Sequence, residues 1–101
     1  MESYNKLVRN KIPELLDSKG VVYEKRIASP EEYKQELIKK LQEEASEFSE
    51  AGSPEELADV LEVIDALRKL PEYQNVADLQ QKKKKERGGF DDRIILKSEK
   101  G

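Results

Sequence analysis

Cysteine, histidine and tryptophan are all absent from this sequence. Without cysteine there is no disulfide framework and no thiolate metal site; without histidine no imidazole can act as ligand or general base. No secretory apolar segment is visible, and no run approaches the ~20 apolar residues that a membrane span needs. A cytoplasmic location away from membranes is therefore the default expectation. Apolar residues are scarce too, at 36% against 41% charged. One domain over residues 1–101 is expected, with a core too lean for one chain alone. Pairing of subunits, as a homodimer or homotetramer, would bury apolar stripes that a single copy leaves open. Regular apolar periodicity over most of the chain argues against disorder.

What is abundant is charge, and it is distributed in blocks beneath a net value of only −3. Acids concentrate between Glu31 and Asp65; bases gather at Lys6, Arg9 and Lys11 and again from Lys82 to Arg87. An acidic middle between basic flanks suits a polyanion held through a bound cation. Nucleic acid is not expected as a partner, because the basic run lacks interleaved aromatics and sits on an acidic protein.

The pattern is that of an all-α protein. Ser29-Pro30-Glu31-Glu32 and Ser53-Pro54-Glu55-Glu56 each offer an N-cap serine, a proline at the first helical position and a glutamate three residues after the serine. That combination predicts two helix starts. The first helix is expected from about Pro30 to Ala51, ending at Gly52, and the second from about Pro54 to Leu70, ending before Pro71. With only Gly52 and Ser53 between them, the two must fold back as an antiparallel hairpin. A short helix is expected within PELLDSKG, and a third bundle helix from about Glu72 to Arg87, ending at Gly88-Gly89. VVYEKRIA reads as a short strand or extended segment. The apolar run Ile94-Ile95-Leu96 could pair with it or clamp onto the bundle.

Helical geometry then singles out certain acids. At about 100° per residue, Leu37, Leu41, Ala45 and Phe48 share a face, with Glu44 inside that arc and Glu47 at its margin. On the next helix Leu57, Val60, Leu61, Ile64 and Leu67 define the expected packed face, with Glu56 beside Val63 and Asp59 on the edge. Sixteen glutamates would yield roughly two Glu-x-x-Glu pairs by chance, so position relative to the core, not spacing, marks Glu44/Glu47 and Glu56/Asp59. Four converging carboxylates repel unless they shift their pKa values or take up a cation. A hard divalent ion, Mg²⁺ above all with Mn²⁺ as a substitute, meets that need with oxygen ligands. Two plainer roles stand beside this one: Glu56 as the reciprocal partner in the Ser53 capping box, and Glu44 as a salt-bridge partner of Lys40.

The pattern Glu43-Glu44-x-x-Glu47 followed by Glu56-x-x-Asp59 resembles the all-α nucleoside-triphosphate pyrophosphatase superfamily, which includes MazG-like proteins and phosphoribosyl-ATP pyrophosphohydrolase. The segments YNKLVRNKIPELL and KKKERGGFDDRIIL resemble a small single-domain branch of it. The resemblance implies an oligomeric helical bundle with short extended termini, and Mg²⁺ held by Glu44, Glu47, Glu56 and Asp59. It further implies hydrolysis between the α- and β-phosphates of a nucleotide, giving a monophosphate and pyrophosphate, as in nucleotide-pool house-cleaning. In such a reaction Glu47 or Glu43 would act on the attacking water, and Lys6, Arg9, Lys83 and Arg87 would contact phosphates. Hydrolysis of phosphoribosyl-ATP itself is an alternative. A non-catalytic helical adaptor, its acids matched by basic segments of a partner, is a competitor of another class.

Overall fold

A computed structural model describes residues 5–99. The chain forms α1 (Ile12–Ser18), α2 (Pro30–Ala51), α3 (Pro54–Arg68), a 3₁₀ turn over Pro71–Tyr73 and α4 (Val76–Arg87), with no strand among the described residues. The fold is all-α. No helix of the described residues is long and apolar enough to cross a membrane.

Both serine caps form. Ser29 Oγ accepts from the Glu32 N–H at 3.2 Å, and Ser53 Oγ accepts from the Glu56 N–H at 3.3 Å. Each satisfies one of the orphan donors of a helix start, while Pro30 and Pro54 occupy positions whose missing N–H costs nothing. Gly52 ends α2 in the left-handed conformation (φ 62°), its N–H donating to the Phe48 carbonyl at 2.7 Å. Glycine is the residue that adopts this angle without a Cβ penalty, so α2 stops there and α3 starts almost at once.

The α2–α3 hairpin is the only substantial helix pairing among the described elements. Its core is thin: Leu37 and Val63 alone are buried, with Leu41, Phe48, Val60, Ile64, Ala66, Leu67 and Leu70 half-buried around them. The face of α3 turned to α2 is therefore centred on Val63; of the expected face, Val60, Ile64 and Leu67 are half-buried beside it, whereas Leu57 and Leu61 are not. Leu57 and Leu61 remain 43% and 53% exposed. The reason is that apolar residues cover more than half of the α3 circumference, and one neighbouring helix can cover only part of that arc.

Smaller contacts dress the hairpin. Lys34 pairs with Glu72 at 3.0 Å and sits over the Tyr73 ring, fixing the 3₁₀ turn beside the start of α2. Arg26 grips Glu32 with both terminal nitrogens at 2.6 and 2.7 Å. The Tyr23 hydroxyl bonds Asp17 Oδ1 at 2.8 Å and the Pro13 carbonyl at 3.2 Å, closing the 21–29 segment against α1. That segment has no regular secondary structure and joins no ladder, so it is not a strand.

The expected third helix is broken. Pro71 starts the short 3₁₀ turn, Gln74 Nε2 donates to the Lys69 carbonyl at 3.3 Å, and α4 begins only at Val76. α4 does not lie along the hairpin, and its residues are mostly exposed. The tail neither pairs with residues 21–23 nor clamps the hairpin: Phe90, Ile94, Ile95 and Leu96 are 77–97% exposed. The resulting shape is elongated, 59 × 32 × 28 Å with a radius of gyration of 18.5 Å, where a compact chain of this length would have about 13 Å.

Candidate metal centre

Acids from both helices meet on either side of the Gly52-Ser53 turn. Glu44 follows Leu37 and Leu41 along α2 onto the face turned to α3; Glu56 and Asp59 stand two turns and one turn before Val63, respectively, on the facing side of α3. One carboxylate oxygen from each of Glu44, Glu56 and Asp59 lies within 4.8 Å of the others. Glu44 Oε2 and Glu56 Oε2 are buried and have no hydrogen-bond partner among the described residues. A buried carboxylate oxygen without a donor is costly, and here two of them share one locus.

The electrostatics follow from this crowding. Burial first, then the charges of Glu47 and Asp59, push the Glu44 carboxyl above the ordinary range, with Lys40 pulling back. Glu56 is raised for the same reasons in the same order. The capping-box role of Glu56 is thus only half realised, since its N–H is capped by Ser53 while its own carboxylate returns no bond. Lys40 does reach Glu44 Oε1, at 3.9 Å, but leaves Oε2 unmatched. An all-oxygen donor set with unmatched buried oxygens fits a hard cation, and Glu44, Glu56 and Asp59 could hold one.

The remaining residues singled out in the sequence divide clearly. Glu47 is exposed and outside the close triad, yet near enough for its charge to raise both Glu44 and Glu56. Glu43 is engaged by Lys6 Nζ at 2.7 Å, which holds its carboxyl below the usual range, with Lys40 also 3.8 Å away. Arg9 Nη2 bonds Asp59 Oδ1 at 2.7 Å. The leader cations are therefore paired with acids of the hairpin. Lys83 and Arg87 are exposed on α4 and are not brought to the triad of their own chain. The pairings of Lys6 and Arg9 had no signature in spacing, because they join residues 37 and 50 positions apart. A cleft of about 290 Å³ lies away from the acids, between the end of α3 and the start of α4, beside Arg68, Lys69 and Tyr73.

Compared with family models, curated proteins and solved structures, the chain matches none.

Proposed function

We propose that the protein is a divalent-cation-dependent nucleotide pyrophosphohydrolase, with Mg²⁺ as the ion, that splits a nucleoside triphosphate into monophosphate and pyrophosphate. The observation that carries this is the carboxylate triad drawn from two helices, with two buried oxygens left without partners. The acidic pattern and the leader and tail segments that resemble the all-α pyrophosphatases point the same way. Phosphoribosyl-ATP is an alternative substrate of the same chemistry.

Glu44, Glu56 and Asp59 would hold the ion, with Glu47 at the rim as a further ligand. When bound, the ion supplies charge neutralisation to the phosphate oxygens. Of the two candidate bases, Glu43 is committed to Lys6, whereas Glu47 makes no ion pair among the described residues. Glu47 is thus the better placed to orient or deprotonate water. Lys6 and Arg9 border the acids and would turn to a phosphate entering there. Lys83 and Arg87 would contribute only where α4 lies against a second copy, in keeping with a homo-oligomer.

The test is a panel of nucleotides incubated with Mg²⁺, with products separated to distinguish pyrophosphate release from stepwise phosphate loss. Pyrophosphate release that disappears in Glu44→Gln, with helicity retained, supports the assignment. Retention of full release in that variant removes the centre from the mechanism. In a non-catalytic adaptor no nucleotide is cleaved, and Mg²⁺ leaves the melting temperature where it was; an ion bound by the folded state must raise it.

A further inference from the structure

The segment before α1 touches the hairpin through charge. Lys6 pairs with Glu43 on α2 and Arg9 with Asp59 on α3, each at 2.7 Å, so the leader bridges both helices at the acidic end. Through residues 7–10 its backbone makes no hydrogen bond to either helix, and Leu7 is its half-buried apolar contact. Asp59 is also one of the three acids of the triad. One carboxylate is thus asked to serve two cations.

We propose that the leader is a displaceable cationic latch, with Arg9 and a divalent ion competing for Asp59. This rests on the reading of the triad as a cation centre. A guanidinium 2.7 Å from Asp59 Oδ1 and a dication bound to the same carboxylate repel each other across a few ångströms. The outcome is decided by how firmly each is held. The Arg9–Asp59 pair is loose, with side chains 59% and 43% exposed, and pairs of that kind contribute little. The ion gains three carboxylates at once, two of them with a buried oxygen that nothing else satisfies. Ion binding therefore releases Arg9 from Asp59, and with it a guanidinium able to meet the phosphates of an incoming nucleotide. Without the ion, the same guanidinium partly neutralises the cluster.

The experiment combines Mg²⁺ calorimetry with limited trypsin digestion of the full chain, following cleavage after Lys6 and Lys11. Wild type, Arg9→Gln and Arg26→Gln are compared, the last losing an ion pair to Glu32 outside the triad. The latch requires Mg²⁺ to speed cleavage at both bonds in wild type and in Arg26→Gln. Arg9→Gln should be cleaved fast with or without the ion and should bind Mg²⁺ roughly two- to fivefold more tightly, the weight of one exposed pair. Binding of Mg²⁺ with unchanged or slower cleavage in wild type, or equal affinities in the three proteins, overturns the latch and leaves the cation centre standing. Absence of Mg²⁺ binding in all three overturns both.

Discussion

At the scale of single residues, Glu44 and Glu56 are the groups on which folding and the proposed ion binding make opposite demands. Their carboxyls titrate above the ordinary range because burial and neighbouring acids disfavour the charged form. The folded chain thus binds these protons more tightly than the unfolded one, so their contribution to stability is fully present below the unfolded pKa. It is lost as pH rises through the raised folded values. Glu43, Glu32 and Glu72 work in the opposite sense. Each is lowered, Glu43 and Glu32 mainly by a lysine or arginine and Glu72 mainly by a backbone hydrogen bond with Lys34 next, so each stabilises above the unfolded pKa and ceases to as pH falls. Glu44→Gln isolates the first effect. In chelator-treated protein at neutral pH this variant should melt above wild type, and the gap should close as the pH is brought below the unfolded carboxylate range. Melting curves against pH check this; a gap that persists in acid, or a less stable variant at neutral pH, assigns Glu44 a packing role instead. Added Mg²⁺ should reverse the order, since only wild type retains all three acids of the triad.

At the scale of elements, the hairpin was legible because local chemistry and global fold agree on it. Two Ser-Pro-Glu-Glu starts and one glycine stop placed α2 at its observed bounds and α3 to within two residues of its end. Such agreement is what lets short-range pattern specify structure. The signals carry a measurable share of the stability. Ser53→Ala removes the cap on the Glu56 N–H and should cost about 1 kcal/mol. Gly52→Ala should cost a similar amount, about 1 kcal/mol, because a Cβ must adopt the left-handed angle, although nothing lies within 4 Å of it. Urea unfolding of both variants tests these values, and an unchanged midpoint would show that the turn is held by packing alone. The acids of the triad were legible for a related reason, since an acid in line with apolar residues on a helix must face whatever that stripe faces. Legibility failed where several faces compete or where partners lie far apart in the chain. The stripe of α3 is too wide to reveal which part meets α2, so periodicity puts Leu57 and Leu61 inside whereas they stand outside. The break before α4 depends on Pro71 and on a side-chain bond from Gln74, which periodicity does not report. The sequence marks Lys6 and Arg9 as cations of the leader, but their acidic partners are set by how the leader crosses the hairpin.

At the scale of the whole molecule, the chain exposes more surface than a folded monomer should. Its accessible area is 9713 Å², whereas a compact monomer of its 11.6 kDa mass would expose about 5,800 Å². The excess is not spread evenly. Rotation of about 100° per residue along two antiparallel helices puts Ile38 and Ala45 of α2 on the same flank as Leu57, Leu61 and Ile64 of α3. Glu43 and Asp59, which hold the leader, fall on the opposite flank. One side of the hairpin is therefore covered by a cationic leader and the other presents an apolar strip, with Ile38, Leu57 and Leu61 each at least 39% exposed. A strip that repeats on every copy is suited to a two-fold interface, in which each residue is buried twice. On that geometry Leu61→Glu removes two leucines per interface, roughly 3 kcal/mol or more of burial, which is over about a hundredfold in dimer dissociation constant. Sedimentation velocity should show wild type as a dimer or larger assembly and Leu61→Glu as a monomer of lower helicity, because a hairpin with two buried residues has little else to stand on. Phe90→Ser, in the exposed tail outside the strip, should leave the assembly intact. If wild type sediments as a monomer at micromolar concentration, the strip is not a subunit contact, and Lys83 and Arg87 then have no route to the acids of a neighbouring copy.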